Sequence, residues 1–322
     1  MLKLDQARVL DRIIENVEKV MVGKRQIIEK TLVALLAQGH ILFEDVPGVG
    51  KTRMVKALSR SINGVFKRIQ FTPDLLPTDV IGVSIYNQKT MEFEFKSGPI
   101  MTNILLADEI NRTSPKTQSA LLEAMEEQTI TVDGATYRLD KPFMVMATQN
   151  PIEYEGTYPL PEAQMDRFML KLHLGYPNQV DEVEILSRTM ITENIDTLSP
   201  VCTSEDIVKL QKQVSQIYVS QALKEYMVSI CQKTREHQDV LLGVSPRGTV
   251  AFYRAVQALA FIRGRDFVTP DDLKELAVEV LSHRLVLKGE ARFEGVQPSE
   301  IIQQIIERVA VPVVREQRKG SK

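Results

Sequence analysis

A glycine-rich segment, residues 44–52 with the sequence EDVPGVGKT, has the clearest chemical signature in this chain of 322 residues. It follows a short apolar run and precedes a segment of helical character, an order typical of a phosphate-binding loop. Backbone N–H groups can converge there on phosphate oxygens, and the start of the helix adds the positive end of its dipole. Lys51 would reach the β- and γ-phosphates, and the Thr52 hydroxyl would hold Mg²⁺. The residues assigned to nucleotide binding here are Asp45, Val46, Pro47, Gly48, Val49, Gly50, Lys51, Thr52 and Arg53.

Two adjacent carboxylates end an apolar run further along the chain. Residues 103–107 read as a buried strand, and Asp108 and Glu109 follow it directly. Ligands of open α/β sheets bind at the carboxyl ends of the strands, so these side chains are expected at the same edge as the glycine-rich loop. Asp108 would complete the shell of Mg²⁺, and Glu109 would orient or deprotonate the water that attacks the γ-phosphate. The two motifs together predict a nucleoside triphosphatase.

A neutral amide follows a third apolar run, residues 143–148. Asn150 can sense the γ-phosphate and help to place the attacking water without competing for the metal ion. The alternative for Asn150 is an ordinary turn asparagine, since this residue type is common in turns.

Two arginines could neutralise the charge that develops on a transferring phosphoryl group. Arg167 precedes the last strand candidate, and Arg247 lies at a predicted helix start, with Ser245 as cap and Pro246 at the first helical position. Such an arginine changes turnover by ~10³-fold or more. For Arg167 the alternative is a plain surface ion pair.

Hydrophobic periodicity predicts an α/β first part and a helical second part. Two helices are expected over residues 4–38, with a break near Val22 and Gly23. The predicted strands, several of them apolar enough to be buried on both faces of a largely parallel sheet, are residues 41–44, 65–71, 103–108, 143–148 and 169–174. Hairpins are predicted over residues 84–95 and 129–139, the second with an Asp133–Gly134 type I′ turn. We place the domains at 1–190 and 191–322, and expect the polar end, 315–322, to be frayed.

Composition narrows the class of protein. The chain has 40 basic and 42 acidic residues, a net charge of −2, which gives no global case for nucleic-acid binding. Only two cysteines, Cys202 and Cys231, are present, and no apolar run approaches the ~20 residues of a membrane span. A soluble cytoplasmic protein without a disulfide framework is expected. The four histidines lack the spacing of metal ligands, so no metal site beyond Mg²⁺ is predicted.

These motifs, in this order, resemble the MoxR-type ATPases of the AAA+ superfamily from about Val22 to Leu285. The matching segments are residues 44–52, 103–112, 116–125, 147–151, 155–168 and 243–247. Asp45 stands where the general phosphate-loop pattern has glycine, but it resembles this family's own version of the loop.

The resemblance implies a P-loop αβα sandwich with a five-stranded parallel sheet in the order 5-1-4-3-2, followed by a small all-α lid domain. By the same resemblance, residues 83–103 correspond to the helix-2 insertion, and the hairpin 129–139 to the one before the first sensor. Asn150 matches sensor 1, Arg167 the arginine finger and Arg247 sensor 2, which could act on its own subunit's nucleotide or on a neighbour's. Val22 and Gly23 match the segment that lines the adenine pocket. The family also implies ATP and Mg²⁺ as ligands, a homo-oligomeric ring, typically a hexamer, and a separate partner with a von Willebrand factor A domain.

The leading functional hypothesis is an ATP-hydrolysing ring that helps to mature or activate other proteins, in the manner of a chaperone. Two alternatives stay open at this point. One is a nucleotide-gated binding switch with slow turnover, and the other is a nucleic-acid-directed AAA+ motor. The client protein, the ring size and the intrinsic turnover rate are not encoded in recognisable motifs.

Overall fold

Apolar runs and amphipathic segments alternate through the first part of the chain. In the computed structural model the apolar runs form a sheet, and the amphipathic segments form helices that cover it. The structure describes residues 2–46, 48–150, 157–189 and 195–312. Pro47, part of the family-like segment 155–168, the expected domain boundary at 190/191 and the polar end 315–322 lie outside the described residues. The division into domains at that boundary stays a prediction.

Helices and strands follow one another closely. The helices are α1 (Leu2–Glu18), α2 (Arg25–Leu36), α3 (Lys51–Ser61), α4 (Pro77–Ile81), α5 (Pro115–Glu127), α6 (Glu162–Met165), α7 (Gln179–Thr189), α8 (Ser204–Val214), α9 (Gln221–Glu236), α10 (Pro246–Ile262), α11 (Pro270–Leu281), α12 (Gly289–Phe293) and α13 (Pro298–Arg308). The strands are β1 (Ile41–Glu44), β2 (Phe66–Gln70), β3 (Gly82–Asn87), β4 (Glu92–Ser97), β5 (Ile104–Asp108), β6 (Thr129–Val132), β7 (Ala135–Arg138), β8 (Met144–Gln149), β9 (Leu170–Leu172), β10 (Val240–Leu242) and β11 (Val286–Leu287).

The main sheet has five parallel strands in the spatial order β2-β5-β8-β1-β9. If these five strands are numbered 1 to 5 along the chain and read from the β9 edge, the order is 5-1-4-3-2, which confirms the predicted topology. The central strands β5 and β8 are buried almost throughout, in agreement with their continuous apolar sequences. All five predicted strands are present, and their carboxyl ends meet at one edge of the sheet.

Two hairpins interrupt the alternation of strands and helices. Strands β3 and β4 pair over Gly82–Asn87 and Glu92–Ser97, and strands β6 and β7 pair over Thr129–Val132 and Ala135–Arg138. At the tip of the second hairpin Asp133 and Gly134 both have positive φ angles, 50° and 79°. A type I′ turn requires this conformation at both central residues, so the Asp-Gly prediction is confirmed.

The described residues after α7, 195–312, form a helical lid, as predicted. Ser245 and Thr203 cap α10 and α8 through their hydroxyls, and Thr269 forms a capping box with Asp272 at the start of α11. One addition was not predicted, a short antiparallel pairing of β10 with β11. These strands have only three and two residues, too few for an alternating pattern to appear in the sequence.

Helix α10 packs against α2 as well as α11, so one apolar core extends from the lid to the N-terminal helices.

No helix within the described ranges combines the length and the apolar character that crossing a bilayer requires.

A buried histidine ties the start of β1 to its neighbours and makes folding sensitive to acid. His40 Nδ1 accepts a hydrogen bond from Val145 N at 3.0 Å, and Nε2 donates to Met125 O at 3.1 Å. This pairing requires the neutral ring. Burial lowers the pKa of His40 from 6.5 to about 4. As the pH falls from 6.5 towards 4, the unfolded chain takes up a proton that the folded chain does not, so the free energy of unfolding decreases.

We expect this group alone to lower the free energy of unfolding by about 2 kcal/mol between pH 7.5 and pH 5. In His40→Asn, whose amide oxygen can still accept from Val145 N, the pH dependence should be shallower by about that amount. Urea denaturation of both proteins at the two pH values measures the difference. Equal pH dependence in the wild type and in His40→Asn would contradict this assignment.

Candidate active site

A cavity of about 390 Å³ opens at the carboxyl ends of the parallel strands. Its lining residues come from the glycine-rich loop and from the ends of β2, β5 and β8, and they are Asp45, Gly48, Gly50, Lys51, Thr52, Arg53, Arg68, Gln70, Asp108, Glu109, Thr148, Gln149 and Asn150. The structure therefore brings the loop, both carboxylates and the amide of Asn150 together, as their positions after three strands led us to expect. We name this space the phosphate cavity.

The loop leaves β1 and enters α3 through two glycines in the left-handed region. Gly48 and Gly50 have φ angles of 86° and 93°, where a residue with a side chain is strained. Helix α3 then begins at Lys51, so its first N–H groups face the cavity without a side-chain cap. This end of the helix is suited to an anion.

The Lys51 ammonium lies across the loop. Its Nζ donates to the carbonyl oxygens of Asp45 at 3.1 Å and Val46 at 3.2 Å. Burial lowers the pKa of Lys51, while the nearby carboxylates of Asp45, Asp108 and Glu109 act in the opposite direction. These two partners are neutral carbonyls, and phosphate oxygens would be stronger partners because both groups of the hydrogen bond would then carry charge.

Asp45 has a structural task that explains why this loop lacks the usual first glycine. The residue is 7% exposed, and its two carboxylate oxygens accept from Leu174 N at 2.7 Å and Gly175 N at 3.0 Å. From the other side, Lys24 Nζ donates to Leu174 O at 2.7 Å. Asp45 thus anchors the loop to the chain that leaves β9.

The segment expected to border the adenine lies beside the loop. Val22 is buried, and Gly23 has a φ angle of 68°. The Asp181 carboxylate occupies the space next to Gly23, because a Cβ there would lie 1.9 Å from its Oδ2. Met21 reaches the loop, with its Cε 3.5 Å from the position of a Cβ on Gly50. Among the described residues that line the phosphate cavity neither Val22 nor Gly23 occurs, so their contact with adenine stays a prediction.

A threonine on β8 couples the two carboxylate residues. The Thr148 hydroxyl donates to Asp108 Oδ1 at 2.6 Å and accepts from Glu109 N at 2.8 Å. Asp108 Oδ2 also accepts from Arg68 Nη2 at 2.5 Å. Glu109 itself takes a left-handed conformation, with φ 58°, which turns its side chain out of the strand. Both backbone and side chain are therefore fixed where β5 ends.

The Glu109 carboxylate has partners of its own. Its Oε2 accepts from Gln70 Nε2 at 2.7 Å and lies 3.1 Å from Arg112 Nε. Gln70 is on the edge strand β2, directly opposite Asp108 in the sheet register. In this conformation Glu109 Oε2, the oxygen that would act on water, contacts the Gln70 amide and the Arg112 guanidinium.

The residues of the phosphate cavity suit Mg²⁺. The Thr52 hydroxyl and the Asp108 carboxylate line the same space, and hard oxygen donors with room for water are what this ion requires.

Sequence reasoning missed Arg68, Gln70 and Thr148. Arg68 and Gln70 are exposed on either side of the buried Ile69, a pattern typical of the solvent face of an edge strand. Thr148 precedes Gln149 and Asn150, and its position at the strand end was the one available signal.

The two predicted arginines lie elsewhere. Among the described residues around the phosphate cavity neither Arg167 nor Arg247 occurs. Both border a second cavity of about 210 Å³ between the lid and the sheet domain. There Arg167 Nε lies 3.0 Å from Glu126 Oε2, and Arg247 pairs with Glu126 Oε1. The structure thus brings the two arginines together on one carboxylate of α5 and separates them from their own chain's phosphate loop.

Family comparisons agree with this architecture. The family described as "ATPase family associated with various cellular activities (AAA)" matches residues 40–170, and the "AAA lid domain" matches residues 232–305. The first runs from the residue before β1 to the first residue of β9, and the second covers most of the lid.

Individual relatives match over almost the whole chain. YeaC of Bacillus subtilis (strain 168) is 59% identical over 95% of this chain and 96% of its own length. Chaperone MoxR1 of Mycobacterium tuberculosis is 43% identical over 96% of this chain and 84% of its own length. A crystal structure from Cytophaga hutchinsonii, of a protein assigned as an ATPase, superposes with a TM-score of 0.91 at 41% identity and 97% coverage of both chains. The chain belongs to the MoxR family of AAA+ ATPases.

Proposed function

We propose that this ATPase works as a ring in which each nucleotide lies between two subunits, and that the ring uses ATP in a chaperone-like role on partner proteins. One observation carries the proposal. The groups that would bind and hydrolyse the nucleotide are divided between two cavities of the same chain, with Lys51, Asp108 and Glu109 in one and the two arginines in the other. A neighbouring subunit can bring the second set to the first.

The phosphate cavity supplies binding and water activation. Backbone N–H groups of the loop and the start of α3 would surround the phosphates, and Lys51 would exchange its two carbonyl partners for phosphate oxygens. Glu109 would orient the attacking water once its oxygen is released from Gln70, and Asn150 would help to place that water. Mg²⁺ held by Thr52 and Asp108 would neutralise charge on the phosphates.

The second cavity supplies the positive charge that the transition state needs. Arg167 and Arg247 share the Glu126 carboxylate, which shows that this place on the surface already accommodates an anion between two guanidinium groups. A γ-phosphate of the neighbouring subunit would take over that position. Contact between two different surfaces of one chain is a heterologous interface, which forms a ring when the rotation from each subunit to the next closes on itself. We therefore assign Arg247, together with Arg167, to the neighbour's nucleotide.

Partners follow from the family. A relative is named Chaperone MoxR1, and we infer a client protein for this chain too. We further propose a hexamer and a separate partner with a von Willebrand factor A domain. Cys202 and Cys231 are free thiols, in keeping with work in the reducing cytoplasm.

A direct test measures phosphate release and partner binding together. The wild type with ATP and Mg²⁺ should turn over, and Lys51→Ala should lose nucleotide binding and turnover. A von Willebrand factor A domain protein from the same genome should bind in the presence of ATP and change the turnover rate. Binding that ignores nucleotide, or stimulation by DNA in place of protein, would reject the chaperone-like role.

A further inference from the structure

A buried arginine joins the lid to the chain segment that carries Arg167. Arg284 ends the 3₁₀ turn Ser282–Arg284 after α11, and its side chain is only 2% exposed. Its guanidinium donates from Nη2 to Phe168 O at 2.7 Å and from Nη1 to Met169 O at 3.3 Å. These carbonyls belong to the entry of β9. A charge buried so deeply requires a partner of opposite charge.

Asp166 is that partner, and it is the residue immediately before Arg167. Arg284 Nε donates to Asp166 Oδ1 at 2.7 Å. The other carboxylate oxygen, Oδ2, accepts from the Ser245 hydroxyl at 2.9 Å. Ser245 also caps α10, the helix whose first turn holds Arg247. One carboxylate therefore links the start of the lid helix to the segment that carries Arg167.

The stem of Arg284 fixes the same helix by contact. A Cβ added to Gly248 would lie 2.7 Å from Arg284 Cδ and 3.0 Å from its Nε. Gly248 follows Arg247 directly, so Arg284 touches the residue next to one arginine and pairs with the residue next to the other.

We propose that Arg284 is a positioning residue that holds Arg167 and Arg247 as one unit, so that both reach the neighbour's phosphates together. This inference rests on the proposed function of the two arginines. Lid and sheet domain move as separate bodies in many ATPases, and a displacement of about 1 Å at a phosphoryl group costs ~10²-fold in rate. Arg284 is not among the residues that line the phosphate cavity in the described part of the chain. Its loss should therefore lower kcat while the chain's own ATP binding stays intact.

The test uses Arg284→Lys, which keeps the charge but cannot make the forked set of hydrogen bonds. We expect kcat to fall by ~10²-fold, with the dissociation constant for ATP within about twofold of the wild type. Gly248→Ala is a second variant, because its methyl group would lie 2.7 Å from both Arg284 Cδ and Val244 Cγ1 and would force the Arg284 stem or the Val244 side chain to move. Arg292→Lys is the matched control, since this lid arginine is 58% exposed and should keep wild-type turnover.

Mixed rings separate a positioning role from a merely structural one. Glu109→Gln subunits are inactive at their own site but still present intact arginines. In a ring that contains equal numbers of Glu109→Gln and Arg284→Lys subunits at random, half the subunits keep Glu109. Half of those have a Glu109→Gln neighbour with intact arginines, so the mixture should show about a quarter of the wild-type rate. Gly248→Ala should be rescued in the same way.

A mixture of Glu109→Gln subunits with Arg167→Ala subunits distinguishes failure of the positioning role from failure of the proposed function. If Arg167→Ala is rescued and the Arg284 and Gly248 variants are not, Arg284 supports only its own subunit and the positioning role is overturned. If Arg167→Ala is not rescued, catalysis is not shared between subunits, and both the proposed function and the inference fail.

Discussion

Glu109→Gln is expected to lower kcat by ~10²–10⁴-fold while ATP binding stays within about twofold of the wild type. The amide has the shape of the carboxylate but cannot accept a proton from water. Binding should survive because Lys51, Thr52 and the loop backbone, which would contact the phosphates, are unchanged. Phosphate release gives kcat, and equilibrium titration with ATP gives the dissociation constant.

A carboxylate at the end of α5 provides the control for this variant. Glu127→Gln removes the same charge at an exposed position outside both cavities and should keep wild-type turnover. If Glu109→Gln hydrolyses ATP within a few-fold of the wild-type rate, Glu109 does not activate water, and the assignment of the phosphate cavity is wrong in its central residue.

Arg167→Ala is expected to lower turnover by ~10³-fold in protein that still assembles. The arginine would meet the neighbour's γ-phosphate in the transition state, where developing charge makes a guanidinium most valuable. Glu126 would keep Arg247 as partner, so the cavity between lid and sheet domain should stay intact. Turnover at saturating ATP and mass by light scattering measure the two effects separately.

Arg138→Ala is the matched control, because this arginine lies exposed on β7 and should leave turnover unchanged. An Arg167→Ala protein that assembles and retains the wild-type rate would show that the pairing with Glu126 is the whole role of this arginine.

The sheet was predictable because its signals are local. Strands β1, β5 and β8 are short apolar runs, and the loop, Asp108 and Asn150 each come at the end of one of them. Since carboxyl ends of parallel strands share one edge, the meeting of the loop with Asp108 and Asn150 could be predicted from sequence positions alone. The Asp-Gly turn of the second hairpin was likewise fixed by two residues.

Contacts between distant segments could not be predicted. The role of Asp45 depends on where β9 ends, and the contact of Gln70 with Glu109 depends on β2 lying beside β5. The meeting of Arg167 and Arg247 at Glu126 depends on how the lid packs. Such an arrangement results from tertiary packing and has no periodic signal in the sequence.

The most direct test of shared catalysis is the ATPase rate per subunit as a function of protein concentration, with the mass of the assembly measured in parallel. We predict that the wild-type rate rises as the ring assembles, and that Arg167→Ala assembles over the same range while its rate stays low. A rate that is independent of concentration and equal in both proteins would contradict catalysis between subunits.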